Sequence, residues 1–212
     1  MQKSTKEIAK LVQNESLNFG LGSALFGLTK LLFDFDRQTF DDKREEKLAP
    51  LYARLKNRKD DKDFEEASVE VSKLKKEKDS ISPKFFFITF YDMPDTTKES
   101  VYNFSAFLDV PQVIDPHLSQ LWDNIYLINL PLSIWDSIAH GDEDSDERRD
   151  AKNEQRRLIG HEMWHAYVRH TDPKGESGLD TEENAELFAH ELMQLRVYYV
   201  NGLPVAGKEN PN

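Results

Sequence analysis

One segment constrains the fold of this chain more than any other: Leu158–His170, which reads LIGHEMWHAYVRH. Ser145 or Asp146 is suited to cap a long helix that runs through this segment to His170. The first half of that helix is almost entirely charged and the second half is not. The apolar second half, with two histidines and a glutamate in it, is therefore the part that we expect to pack against the rest of the domain.

The two histidines, His161 and His165, belong to the pattern H-E-x-x-H, in which Glu162 follows the first of them. Four residues of helix turn through about 400°, so both imidazoles project from the same face and can bind one metal ion. Imidazole suits Zn²⁺, and the chain contains no cysteine, so any further ligand must be a carboxylate or a histidine. Glu162 is rotated off this axis, where it can accept a hydrogen bond from zinc-bound water as a general base.

A chance match is the first alternative, because short patterns recur by accident. The strand-then-helix context, the lack of another histidine pair at this spacing and the nearby carboxylates favour a metal site instead. A structural zinc is the second alternative. Three protein ligands with a glutamate placed as base would leave a fourth position open, and catalytic sites need such a position.

Two carboxylates compete as the third ligand. Asp172 comes soon after His165, and Pro173 favours an extended conformation at Asp172 that would end the helix there. Glu182 opens the next helix, and Glu186 lies one turn later on the same face, so one can bind zinc while the other orients a histidine. Either Asp172 or Glu182 could instead be a plain helix cap.

Length and charge limit the class of partner. The chain has 212 residues and a formal net charge of −11, which suits a single catalytic domain and would repel phosphate backbones and anionic lipids. We therefore expect a protein substrate, with basic ones favoured, and no direct binding to nucleic acid or to a membrane.

One stretch, Leu17–Phe33, resembles a membrane segment, but Asn18, Lys30 and three glycines interrupt it, and we interpret it as a core helix. The start of the chain is not a convincing signal peptide either. The expected location is the cytoplasm of the producing cell, or a host cell reached by secretion without a classical signal peptide.

The chain is predicted to divide near residue 82. Residues 1–82 contain a dense run of alternating acids and bases with apolar residues at helical intervals, which predicts a helical N-terminal subdomain. Residues 83–212 would form the metallopeptidase domain. Two stretches rich in β-branched and aromatic residues, Phe85–Tyr91 and Ile125–Leu130, predict buried strands in it.

The run HEMWHAYVRHTDPKGESGLDTEENAELFAHEL, from His161 to Leu192, resembles the active-site region of the zinc proteases that enteric pathogens secrete as type III effectors and that cleave NF-κB subunits. The shared pattern is H-E-x-x-H, six residues, Asp-Pro-x-Gly-acidic-Ser and Thr-Glu-x-x-Ala, here His161, Glu162, His165, Asp172, Pro173, Gly175, Glu176, Ser177, Thr181, Glu182 and Ala185. The resemblance implies that His161, His165 and Asp172 hold the zinc. We therefore expect Asp172 rather than Glu182 to be the ligand, with both inside the site.

A second resemblance is to gluzincins, including proteases that act on phage repressors and stress regulators, whose H-E-x-x-H is followed by E-x-x-A-(D/N)-x-x-A. Here that motif corresponds to Glu182, Ala185, Glu186 and Ala189, which implies Glu182 as the ligand and places Glu186 where Asp or Asn is usual. Two tyrosines, Tyr198 and Tyr199, follow at a suitable distance to stabilise an oxyanion, unless they pack in the core.

Together these features predict an α+β, zincin-like domain. A small sheet would pack on the H-E-x-x-H helix and on a final helix that begins at Asp180 or Thr181, with the helical N-terminal subdomain around them. The expected function is that of a zinc-dependent endopeptidase with one zinc ion and Glu162 as base, either a virulence effector in a host or a regulator in the producing cell. The alternatives are an inactive zincin-like binding module and a zinc-dependent hydrolase or toxin that acts on a non-peptide amide.

Overall fold

The computed structural model describes residues 3–14, 21–57, 60–79, 81–91, 107–109, 124–194, 198–200 and 203–205. The helices in these parts are α1 Thr5–Asn14, α2 Leu21–Lys56, α3 Asp61–Lys76, α4 Leu132–His140, α5 Asp146–Thr171 and α6 Glu182–Gln194. The strands are β1 Phe85–Tyr91, β2 Phe107–Asp109, β3 Ile125–Pro131, β4 Tyr198–Val200 and β5 Leu203–Val205.

The chain separates into two compact units. One unit comprises Met1–Leu32 together with Pro83–Asn212, and the other comprises Phe33–Ser82. Residues 1–32 therefore group with the C-terminal part of the chain, whereas the sequence interpretation joined them to residues 33–82. That residues 1–82 fold as a subdomain of their own stays a prediction.

Three strands form a small mixed sheet with the order β1-β3-β2. Strand β1 runs parallel to β3, with Phe85 opposite Ile125, and β2 runs antiparallel to β3, with Leu108 opposite Ile128. Both predicted strands are confirmed, at Phe85–Tyr91 and Ile125–Pro131. The predicted burial holds for alternate residues of β3, whereas in β1 Phe85 and Phe87 are about half exposed. The mixture of helices with a small sheet is compatible with the predicted α+β class.

Helix α5 carries the H-E-x-x-H pattern and packs against β3 and α4. Its start is fixed by Ser145, whose Oγ accepts a hydrogen bond from the backbone N–H of Arg148 at 3.1 Å. Its second half is buried without interruption from Leu158 to Ala166. Trp164, at the centre of this part, is fully buried, and its indole N–H donates to the backbone oxygen of Leu179 at 2.9 Å. The helix therefore stands inside the core of its unit.

Helix α6 packs against α5 and α1. The expectation that the sheet would pack on both C-terminal helices therefore holds for α5, whereas α6 packs mainly on helices. The approach of α6 to α5 is close at Gly160, where an added Cβ would lie 3.2 Å from Cα of Ala189 and 3.3 Å from its Cβ. A glycine faces an alanine here, so the two backbones can come together.

Helix α1 completes this unit, and its first turn is a capping box. The hydroxyl of Ser4 accepts from the backbone N–H of Glu7, and the Glu7 carboxylate accepts from the backbone N–H of Ser4 at 2.8 Å. Ile8 and Val12 on its apolar face are fully buried in the same core as Trp164.

The second unit is helical in the residues described there. Leu48, Leu51 and Val71 form a small core, and Arg54 donates to the carboxylate of Asp63 at 2.6 Å. In neither unit is any described helix both long enough and apolar enough to cross a membrane.

Candidate metal centre

The site begins with His161 and His165 on α5. They lie one turn apart on one face, and their Nε2 atoms are 3.2 Å from each other. Both residues are almost fully buried, at 8% and 4% exposure. Because the helix around them is held in the core, both imidazoles are largely shielded from solvent.

Helix α6 brings a carboxylate to this pair. Oε2 of Glu182 is 3.0 Å from Nε2 of His161, and Oε1 is 3.5 Å from Nε2 of His165. One ligand atom from each of these three residues lies within 4.8 Å of the other two. Glu182 stands in the first turn of α6 with its side chain 83% exposed, so the group opens to solvent.

These separations fit a metal ion. Two ligand atoms that are each about 2.0–2.1 Å from a tetrahedral zinc lie about 3.3 Å apart, close to the separations of 3.0, 3.2 and 3.5 Å seen here. Two imidazoles and one carboxylate also form the ligand set of several catalytic zinc sites. His161, His165 and Glu182 could therefore hold one metal ion.

The other ring nitrogens contact two further carboxylates. Nδ1 of His161 lies 3.1 Å from Oε1 of Glu186, and Nδ1 of His165 lies 2.5 Å from Oδ1 of Asp180. A carboxylate can only accept, so these contacts favour the Nδ1–H tautomers, in which a neutral imidazole has its lone pair on Nε2. Nε2 of His161 also faces an acceptor, Oε2 of Glu182 at 3.0 Å, and two acceptors at this separation need a proton or a cation between them. The Nε2 lone pairs and the Glu182 oxygens then face the same space. A cation bound there would be coordinated by all three residues.

The carboxylate of Asp180 is held in its charged form. Burial by itself raises its pKa, but hydrogen bonds from His165 and Arg169 outweigh that effect and hold the pKa of Asp180 below its ordinary value. An ionised Asp180 is the acceptor that the Nδ1–H of His165 requires.

Asp172 is outside the group of ligand atoms. Its carboxylate accepts from the backbone N–H of Glu176 at 3.1 Å and from that of Ser177 at 2.6 Å. These bonds, those with Ser177 above all, lower the pKa of Asp172. The structure thus brings Glu182 to the histidines, whereas Asp172 ends α5 and shapes the loop that follows.

That loop returns the chain to the histidines. Gly175 and Gly178 adopt positive φ values of 68° and 65°, in the left-handed region that glycine occupies without strain. The hydroxyl of Ser177 then accepts from the backbone N–H of Leu179 at 3.3 Å. The hydroxyl of Thr181 accepts from the backbone N–H of Asn184 at 3.2 Å and caps α6. This conformation of the loop places Asp180 and Glu182 beside the two histidines.

The remaining predicted site residues are Glu162, Glu186, Tyr198 and Tyr199. Glu162 is 4% exposed and lies beside the ligands in sequence, within the buried part of α5. Glu186, expected to orient a histidine, contacts His161. Tyr198 and Tyr199 belong to the backbone of β4, but their side chains lie outside the described parts of the chain.

Sequence reasoning missed Asp180, which it treated only as the start of a helix. The sequence does show that Asp180 is an acidic residue two positions before Glu182, but it does not show that this carboxylate contacts His165. Comparison of the chain with protein-family models, with curated proteins and with solved structures found no match.

Proposed function

We propose that this chain is a zinc-dependent endopeptidase whose centre is formed by His161, His165 and Glu182. The observation that carries the proposal is the convergence of two imidazole Nε2 atoms and one carboxylate, with Nδ1 of each imidazole in hydrogen-bond contact with a further carboxylate. Glu162 lies next to the first ligand in sequence and supplies a carboxylate suited to proton transfer.

The third ligand supports one of the two resemblances over the other. Glu182 occupies the ligand position of the gluzincin motif, and Glu186 contacts a ligand histidine from the position that follows Ala185. The aspartate of the effector proteases corresponds to Asp172, which hydrogen-bonds its own loop. A gluzincin-like peptidase that acts on a regulator of the producing cell is therefore the form of the proposal that we prefer.

Bound zinc would supply Lewis-acid polarisation of a scissile carbonyl and make water available as a nucleophile near neutral pH. Within the chain, the carboxylate of Glu162 accepts the proton that the attacking water loses. It then gives this proton to the leaving amine, which departs neutral. Asp180 and Glu186 keep the Nδ1–H tautomers of the two histidines, so their Nε2 atoms stay available as ligands.

The net charge supports a class of substrate for this proposal. It is −11, Glu183 beside Glu182 is exposed, and Glu176 is exposed and lies 3.8 Å from Lys174. A peptide with basic residues near the cleaved bond is favoured by such surroundings, more so at low salt.

The experiment that tests this proposal is cleavage of proteins in a cell lysate, read by mass spectrometry of newly formed N-terminal peptides. Zinc-loaded wild type should generate new termini at a small set of sites, and Glu162→Gln, which keeps all three ligands, should not. Identical termini from the two proteins would contradict peptidase activity through this centre. Absence of new termini from a zinc-loaded wild type would contradict it too and favour a non-peptide amide as the substrate.

A further inference from the structure

Two arginines flank the histidine pair on α5. Arg157 lies four residues before His161, and Arg169 lies four residues after His165. Residues four apart on a helix are neighbours along one face, so these four side chains form one line. Each arginine contacts the carboxylate that supports the nearer histidine.

The contacts of Arg157 run through Glu186. Nη1 of Arg157 donates to Oε1 of Glu186, which is the same oxygen that lies 3.1 Å from Nδ1 of His161. The other side of the guanidinium donates twice to Glu154, from Nε at 2.8 Å and from Nη2 at 2.6 Å. Glu154 therefore fixes the plane of the guanidinium, and an N–H of Nη1 is directed at Glu186.

The contacts of Arg169 run through Asp180. Nε of Arg169 donates to Oδ2 of Asp180 at 2.9 Å, while Oδ1 of the same carboxylate is 2.5 Å from Nδ1 of His165. The carboxylate is thus held between an arginine and a histidine, one oxygen for each. Arg169 makes this contact with a single N–H, unlike the three-point arrangement of Arg157.

We infer that Arg157 and Arg169 are positioning residues of the metal centre, each acting through a carboxylate on one ligand histidine. This inference rests on the proposed function, because it assigns a role relative to the bound metal. The carboxylate of Glu186 is 48% exposed on a flexible side chain, and water would compete with His161 for it. An arginine that holds the carboxylate in place keeps it on Nδ1, which fixes the ring and makes Nε2 a better ligand.

An ordinary surface ion pair provides the comparison. Nη2 of Arg149 lies 2.7 Å from Asp146 near the start of α5, and both side chains are largely exposed. Pairs of this kind contribute little to stability and have no route to the histidines. Arg149→Gln is therefore the matched control for arginine loss on the same helix.

The test is zinc affinity, measured by competition with a chelator, together with the visible absorption of the cobalt-substituted protein. We expect Arg157→Gln and Arg169→Gln each to lower zinc affinity by up to about 10-fold, the lower end of the loss that is usual for a group bonded directly to a ligand, because each arginine acts through a carboxylate. The cobalt bands of both variants should shift, because the orientation of one imidazole changes. Arg149→Gln should match wild type in both measurements.

Lysine substitutions separate positioning from charge alone. One ammonium cannot reproduce the planar contacts of Arg157 with two carboxylates, so Arg157→Lys should stay close to Arg157→Gln in zinc affinity. Arg169 uses one N–H, so Arg169→Lys should recover most of the loss. In addition, Arg157→Gln should cost little further affinity in a Glu186→Gln background, because the route to His161 is already broken.

The outcomes are distinguishable. Wild-type zinc affinity and cobalt bands in folded Arg157→Gln and Arg169→Gln would overturn the inference and leave the metal centre standing. The inference is overturned as well if Arg149→Gln weakens zinc as much as they do. Loss of a positive charge by itself favours a bound cation, so an equal loss there would point to a general effect on α5 and not to the supporting carboxylates. A wild-type protein that binds no zinc would overturn the proposed centre itself, and the inference with it. Circular dichroism of each variant excludes unfolding, and the lysine variants serve where a glutamine variant does not fold.

Discussion

At the scale of single residues, the surroundings of a carboxylate decide its role. Asp172 and Glu182 are both acidic residues at a helix end, and the sequence interpretation favoured Asp172 as the ligand, with Glu182 as the alternative. Both oxygens of Asp172 accept backbone N–H groups of the loop, from Glu176 and Ser177. Those of Glu182 lie 3.0 and 3.5 Å from the two histidines. The local hydrogen bonds of Asp172 thus stabilise the loop conformation that places Glu182 beside the histidines.

This difference gives the first prediction. Glu182→Ala removes a proposed ligand. It should lower zinc affinity by more than the roughly 10- to 100-fold that is usual when a residue that hydrogen-bonds a ligand is lost. Asp172→Ala removes support of the loop and should weaken zinc less. Glu183→Ala, which removes an exposed carboxylate from the same turn, should bind zinc like wild type. Competition with a chelator ranks the three variants, with circular dichroism as the test of folding.

The reverse order would revise the ligand set. If Asp172→Ala loses zinc while Glu182→Ala binds it as wild type does, the loop must rearrange when the metal binds. The resemblance to the secreted effector proteases would then become the better guide to function.

Glu162 gives the second prediction at this scale. Its replacement by glutamine keeps nearly the same volume in a position that is only 4% exposed, so the fold and the zinc affinity should be unchanged. The amide cannot accept a proton from water, so turnover of a peptide substrate should fall by about 10² to 10⁴-fold. Zinc titration and cleavage of the same substrate measure the two effects. Turnover at the wild-type rate would exclude Glu162 as the base.

At the scale of elements, the site depends on the close approach of α5 and α6. Gly160 directly precedes His161, and its Cα faces Ala189 of α6. Glu182 lies about two turns before Ala189 on the same helix, and Glu186 lies about one turn before it. Any increase in the separation of these helices therefore moves one ligand and one supporting carboxylate away from the histidines.

The third prediction uses this contact. Gly160→Ala should weaken zinc binding several-fold, because the new methyl group would lie 3.2 Å from Cα of Ala189. Overpacking of this kind costs about 1–3 kcal/mol, against about 1 kcal/mol gained from the higher helix propensity of alanine. Chelator competition and urea unfolding of the metal-free protein measure these quantities.

Gly22→Ala is the control, because a methyl group there would meet nothing within 4 Å in helix α2. It should leave zinc affinity unchanged. If Gly160→Ala also binds zinc as wild type does, the spacing of the helices is not what places Glu182.

Local patterns predicted the elements better than their arrangement. The β-branched and aromatic residues of Phe85–Tyr91 predicted a strand, and helix periodicity predicted that His161 and His165 share one face. Both results depend only on residues close together in sequence. The parallel pairing of β1 with β3 and the packing of α6 on α1 depend on contacts between distant parts of the chain. No periodicity within one element specifies them.

The supporting residues of the site were the hardest to predict. Asp180 meets His165 only because the loop turns at Gly175 and Gly178, whose positive φ values a sequence does not display. Arg157 and Arg169 appear as ordinary charges of a helix until the carboxylates that they hold are in place.

At the scale of the whole molecule, the centre connects two consecutive helices across the loop 172–181. The histidines lie on α5 and Glu182 lies on α6, so an ion bound to all three would cross-link them. A ligand that binds the folded chain alone stabilises it by mass action. Metal content should therefore control the stability of the unit that contains this site.

The fourth prediction is a shift in melting temperature. Free zinc at about 100 times its dissociation constant stabilises a protein by about 2.7 kcal/mol, which for a chain of this size raises Tm by about 5–10 °C. Addition of excess chelator should reverse the rise. In His165→Ala the same additions should leave Tm unchanged, and an equal rise there would place the stabilising zinc at another site.

The most direct test of the central claim is the zinc content of the purified chain at saturation, determined by elemental analysis after removal of loose metal. Wild type should retain about one zinc per chain, as expected for a site with three protein ligands. His161→Ala and His165→Ala should each retain almost none while staying folded by circular dichroism. Retention of one zinc by both variants, or of none by wild type, would contradict a metal centre at these histidines.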